Sequence, residues 1–287
     1  MINWPSDLIE DIARRKCVIV LGAGISKNST NISGARPKDW KEFLDSASAS
    51  INGRAAIRKQ ISAGDFLTAC ELIKNTLGRD NFNTLVKREF LTPQFHPAEI
   101  HKHIYNLDSR IIITPNFDKI YDTYANATSH GSILVKKHTD SDIADCIRRP
   151  EHLIIKIHGS IETPDQLIFT RKDYGEARTK YRDFYHLIDA LSLTHTFIFL
   201  GCGTNDPDIR LMLEDYSFKF ANNKKHYIIM PKNAVGVKVR EIIEDTMSLS
   251  SLLYDSANHH IKLTESVEDL VKKVEIKRNE IATTMKW

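Results

Sequence analysis

Four short polar stretches of the sequence each follow directly on an apolar run: GAGIS (22–26), TPNFD (114–118), IHGS (157–160) and GCGTND (201–206). Glycines just past a strand let the backbone come very close to another group, most often a phosphate, so Gly22, Ala23, Gly24, Ile25 and Ser26 are candidates to hold one. A tight strand-to-helix turn with no ligand reads the same way. Asn116 and Asp118 would project into a crevice at a strand end, although Pro, Asn and Asp are also ordinary turn residues. His158, followed by a glycine that lets the chain turn, is placed to exchange a proton near neutral pH, whereas a lone histidine is more often structural. Gly201 and Gly203 could approach a ribose or phosphate, with Thr204 and Asn205 as hydrogen-bonding groups. Cys202 is a nucleophile by type, but between glycines a small buried thiol is the commoner outcome.

The elements that must position these groups are short strands. VIVLG (18–22), RIIIT (110–114), SILVK (132–136), LIIKI (153–157), TFIFLG (196–201) and HYIIM (226–230) are continuous apolar runs of the kind that suits strands covered on both faces. Helical patterns lie between them. Residues 6–16 read as a short helix capped by Ser6 or Asp7; farther on Asp206 caps, Pro207 takes the first helical position, and Ile209, Met212, Leu213 and Tyr216 recur at helical spacing. This alternation predicts an α/β fold with a Rossmann-like, doubly wound parallel sheet. Residues 38–105 interrupt it with helical periodicity and read as a helical insertion, and residues 264–284 as a C-terminal helix with a solvated charged face. The 287 residues read as a single domain without internal repeats.

Composition narrows the chemistry. A net charge of +3 with basic and acidic residues intermixed argues against direct nucleic-acid binding. No run approaches the roughly 20 apolar residues of a membrane span, and the N-terminus is unlike a signal peptide, so a cytoplasmic protein with no membrane contact is expected. Cys17, Cys70, Cys146 and Cys202 form no C-x-x-C pair, which supports neither a disulfide framework nor a zinc ribbon. A dinucleotide fingerprint of the hydride-transfer enzymes would need a third glycine where Lys27 stands, and a Walker loop is absent.

In their order and spacing, GAGIS, TPNFD, IHGS and GCGTNDPD resemble the sirtuin family over most of residues 17–230, and in particular its bacterial NAD-hydrolysing branch in antiphage defence systems. The resemblance implies NAD as substrate, with Gly22, Ala23, Gly24, Ile25 and Ser26 binding the nucleotide. It gives Asn116 and Asp118 the ribose and nicotinamide, and makes His158 the general base. Three departures count against acyl-lysine chemistry. Residues 159–197 contain no cysteine where deacylase sirtuins hold zinc, so no zinc module and no metal is expected; SKNSTNISGARPKDW replaces a P-D-F-R segment; and Pro115 stands where glutamine is common. Arg36 could reach the pyrophosphate or ribose.

The implied reaction cleaves the nicotinamide–ribose bond through an oxocarbenium-like state, as in glycoside hydrolysis, giving nicotinamide and either ADP-ribose or a cyclic ADP-ribose. His158 would be neutral at pH 7 if its pKa stays near about 6.5. A non-catalytic NAD or ADP-ribose sensor and an NAD-dependent protein deacylase are the alternatives. Because destruction of NAD must be held off, the resemblance also implies control through a homo-oligomer or a HerA-type ATPase partner, with the helical insertion and the C-terminal helix as contact surfaces.

Overall fold

The computed structural model describes residues 1–203, 206–220 and 223–285. The chain opens with α1 (Ser6–Ala13), β1 (Cys17–Leu21) and the single-turn α2 (Ala23–Ser26). Five helices precede the next strand: α3 (Trp40–Ser48), α4 (Ala55–Ser62), α5 (Phe66–Leu77), α6 (Arg79–Phe90) and α7 (Glu99–Asn106). There follow β2 (Ile111–Thr114), α8 (Ile120–Thr128), β3 (Leu134–Lys137), α9 (Ile143–Arg148), β4 (Leu153–Lys156), α10 (Arg171–Lys180) and α11 (Arg182–Thr194). The last part runs β5 (Thr196–Leu200), α12 (Pro207–Lys219), β6 (His226–Pro231), α13 (Val237–Thr246), β7 (Leu249–Tyr254) and α14 (Ala257–Thr284).

The strands form one parallel sheet in the order β3-β4-β2-β1-β5-β6-β7, which is the doubly wound arrangement expected. From β1 the chain first builds outward through β2 and later returns to the opposite edge of β1 as β5. The crevice beyond the ends of β1 and β5 is therefore the topological switch point, where open α/β sheets bind ligands. β1 and β5 are buried along their whole lengths because both faces are covered. On one face Ile19, Leu21, Ile112 and Ile198 meet Ile12, Ile100, Val267 and Leu270 of α1, α7 and α14. On the other, Val18, Val20, Phe197 and Phe199 meet Phe184, Ile188, Ile209 and Leu213 of α11 and α12.

The helical stretch before β2 divides between two cores. α3 to α6 bury Phe43, Leu44, Ile61, Ile73 and Val86 in a core of their own, closed by Ile161, Leu167 and Phe169 from the segment after β4. α7 belongs instead to the sheet, with Ile100 and Ile104 packed against the same layer as α14. One local expectation changes and two features add to the reading. Pro5, not Ser6 or Asp7, occupies the N-cap of α1, and Asp7 accepts a hydrogen bond from the Tyr227 hydroxyl at 2.8 Å. The regular part of α14 is preceded by Asn258, His259 and His260 in left-handed conformation. β7, an edge strand in which only Leu249, Leu252 and Tyr254 are buried, was not expected from LSSLLY.

Candidate functional site

The ends of β1, β2, β4 and β5 converge on a cavity of about 450 Å³, within the range of small-molecule sites. Gly22, Ala23, Ser26, Asn116, Asp118, His158, Gly201, Cys202 and Gly203 all line it, which brings most of the candidate residues together. Gly24 and Ile25 do not. Ile25 is 1% exposed and part of the sheet core, and Gly24 faces the β5 turn. Thr204 and Asn205 lie outside the described residues. Arg36 does not line the cavity; its guanidinium donates to the carbonyls of Lys27 and Asn28, at 2.8 and 3.0 Å.

The glycines of the first turn answer to the protein's own backbone. A Cβ on Gly22 would stand 2.4 Å from the Gly201 carbonyl oxygen, and one on Gly24 2.9 Å from the same atom. The amides of Gly22 and Gly24 donate to the carbonyls of Leu200 and Gly201, both at 2.9 Å. Those two N–H groups are thus spent on joining the turns after β1 and β5, and the close approach inferred from the sequence is backbone to backbone.

On the β2 side the polar groups form a chain. The Ser26 hydroxyl donates to Asp118 Oδ2 at 2.8 Å and accepts from Asn116 Nδ2 at 3.2 Å, while Asp118 Oδ1 accepts from the Ile120 amide at 2.9 Å. Ser26 has one proton and gives it to the carboxylate, so the group Asn116 turns toward it must be the amide NH₂. The Asn116 Oδ1 acceptor is then the end left for a ligand. Behind Asp118, the buried Lys156 ammonium donates to the Asp118 carbonyl and lies 3.2 Å from Asp122 Oδ2. Burial raises the Asp122 pKa, and Lys156 opposes that rise.

A second group, around His158, carries charge. His158 sits just beyond β4, 5% exposed, ahead of Gly159, whose φ of +85° and whose contact with the Gln166 carbonyl leave no room for a side chain. Its Nε2 lies 3.6 Å from Asp206 Oδ2 and 3.5 Å from Asp208 Oδ2, too far for good hydrogen bonds. Tyr174 donates to Asp206 at 3.1 Å; Tyr185 and Arg178 donate to Asp208 at 3.0 and 2.7 Å. Burial alone would lower the His158 pKa, but Asp206 and Asp208 together more than offset it and hold it above the ordinary histidine value. The expectation of an ordinary histidine pKa at His158 is corrected accordingly. Nearby His138 is held down to about 4, by burial first and then by the charge of His158. Cys202 is raised by burial and by Asp206, and its Sγ lies against the carbonyls of Val20 and Leu200, as a packed thiol does.

The third wall is aromatic and was not anticipated. Trp40, Phe43, Phe66, Phe90, Phe117 and Phe169 line the cavity from the α3–α6 side. Trp40 stacks on Phe169 at 5.9 Å between ring centres, and its buried indole N–H has no partner among the described residues. Lys38 brings a cation to the same side, paired with Glu89 at 2.5 Å. Among the described residues no group of His, Cys, Asp or Glu could hold a metal ion, and no helix is long and apolar enough to cross a membrane.

The family profile of the SIR2-like domain matches residues 110–252, which hold Asn116, Asp118, His158 and the β5 turn. The chain is sirtuin-like. The sirtuin-like chain is 24% identical over 227 residues to an NAD(+) hydrolase ThsA of Acinetobacter baumannii, covering 78% of this chain and 44% of that one. To a protein of the same name from Enterococcus faecium it is 24% identical over 260 residues, covering 89% and 50%. A Bacillus subtilis protein named defense-associated sirtuin 2 is 22% identical over 216 residues, covering 74% and 20%. The chain thus spans about half the length of the NAD hydrolases it matches, and a fifth of the defense-associated sirtuin.

Proposed function

We propose that the sirtuin-like chain is an NAD⁺ glycohydrolase that cleaves the bond between nicotinamide and ribose and depletes NAD in bacterial antiphage defence. The observation that carries this reading is that an amide acceptor and a histidine line one cavity at the sheet's switch point. Relatives named NAD(+) hydrolase support the substrate. The residues fit a dinucleotide: backbone turns at Gly22–Ala23 and Gly201–Gly203, an unpaired indole donor and a broad aromatic wall for a base.

In this reading Asn116 Oδ1, oriented through Ser26 by Asp118, accepts a hydrogen bond from a ribose hydroxyl or from the attacking water. His158 takes the proton of that water as its oxygen bonds to the anomeric carbon. The electron pair of the breaking C–N bond returns to the pyridine ring, which leaves as neutral nicotinamide, and His158 releases its proton to solvent. Asp118 has both carboxylate oxygens engaged, so it orients the wall and leaves the substrate contact to Asn116. Regulation by self-association or by a HerA-type ATPase belongs to the same reading, and full activity in a purified monomer would count against it.

The deciding experiment incubates the purified protein with NAD and identifies products by mass. Nicotinamide with ADP-ribose is expected; a cyclic product would make the enzyme a cyclase, and binding without turnover a sensor. Asn116→Ala, folded by circular dichroism, is expected to lose about 10²-fold or more of the rate.

A further inference from the structure

The D-P-D segment does more than start a helix. Asp206 divides its carboxylate: Oδ1 caps α12 by accepting from the amides of Asp208 and Ile209, and Oδ2 receives the Tyr174 hydroxyl. Asp208 has no capping duty. Its side chain is 4% exposed, Oδ1 is held by Arg178 and Oδ2 by Tyr185, and the remaining face of Oδ2 points at His158 Nε2 from 3.5 Å. That Nε2 is buried and has no hydrogen-bond partner among the described residues. An unpaired buried donor is unfavourable, and a shift of under about 1 Å would convert the contact into a charge-assisted bond.

We propose that Asp208 is the positioning residue of His158: clamped by Arg178 and Tyr185, its carboxylate keeps a proton on Nε2, leaves Nδ1 as the nitrogen that accepts the substrate-side proton, and supports the imidazolium then formed. The inference rests on the proposed cleavage of NAD at this site. It follows the logic by which a buried carboxylate orients a catalytic imidazole and stabilises its cation. The groups facing His158 are Asp206 and Asp208 at the start of α12, Tyr174 and Arg178 on α10, and His138 after β3, with Tyr185 of α11 behind Asp208. Among them the two carboxylates favour the cation, and Arg178 opposes it.

Substitutions that change the charge at Asp208 in opposite senses separate positioning from mere packing. Nitrogen-15 NMR titration of His158 in the full chain, assigned with His158→Gln, is set beside the pH profile of kcat/KM for NAD cleavage. Asp208→Asn is expected to move both the His158 titration and the acid limb to lower pH, by of the order of one unit, and to lower the plateau about 10- to 100-fold. Arg178→Gln, which strips Asp208 of its counter-charge, is expected to move both to higher pH. Tyr185→Phe should move them the same way by less. A shift of Asp208→Asn and Arg178→Gln in one common direction, a fall in Arg178→Gln, or an unmoved titration overturns the proposal. If Asp208→Asn does not fold, the two other variants carry the test. The titration is read without turnover, so a wild type that leaves NAD intact overturns the proposed function while the position of Asp208 is still decided.

Discussion

On the β2 side of the cavity Asn116, Ser26 and Asp118 are joined by bonds of 3.2 and 2.8 Å, whereas on the α12 side His158 stands 3.5 and 3.6 Å from its carboxylates. The first wall is neutral at its working end, and each of its internal donors has an acceptor. The second is charged, and its central nitrogen lacks a hydrogen bond. The first is anchored on turns that leave the central strands directly; the second is assembled from β4, α10, α11 and α12. A wall set before the substrate arrives can orient it without reorganising, while a wall with one unmade bond can respond when a proton moves.

That contrast can be broken from either side. The largest effect is expected for His158→Ala, which removes the proton acceptor and should lower NAD cleavage about 10²- to 10⁴-fold in a protein that still folds; turnover at wild-type rates would end the assignment of the charged wall. Gly22→Ala should act on stability, because its Cβ would lie 2.4 Å from the Gly201 carbonyl. A loss of about 2–3 kcal/mol in denaturant unfolding is expected. Ser26→Ala cuts the neutral chain, leaves Asn116 free to flip and should reduce kcat/KM by roughly 5- to 30-fold, the worth of one or two hydrogen bonds. An unchanged rate would mean that Asn116 is oriented by something else.

The smallest effect is a pH dependence of stability. The folded-state pKa of His158 is raised, so its contribution is fully present below its unfolded value of about 6.5 and is lost as pH rises through the folded value. Asp208 is lowered, burial being outweighed by His158 and Arg178, so its contribution is steady in this range and fails only in acid. Unfolding of wild type and His158→Gln at pH 6 and pH 9 should therefore show the wild type's advantage shrinking at the higher pH, by of the order of 1 kcal/mol.

Much of this is legible in the sequence. VIVLG and TFIFLG advertise central strands because a strand covered on both faces has no polar side to show. LSSLLY hid β7, since an edge strand needs fewer buried positions and its serines broke the run. GAGIS showed that a backbone comes close to something without showing that the something is Gly201. Asp206 was read as a cap, and it is one. Its second duty beside His158 depends on β4 and α12 meeting in space, which no local pattern encodes. The aromatic wall is likewise drawn from segments between Trp40 and Phe169, each of which reads as ordinary core by itself.

The joint between Gly24 and Gly201 has a mechanical consequence. With the Gly24 amide bonded to the Gly201 carbonyl at 2.9 Å and no space for a Cβ at Gly22 or Gly24, the turns after β1 and β5 are pinned together and behave as one rigid lever. Ser26 rides two residues beyond one end of that lever and Asp206 five beyond the other. Ser26 closes the single-turn helix that starts at this joint, so the seat of the β5 turn sets the height of the hydroxyl that aims Asn116.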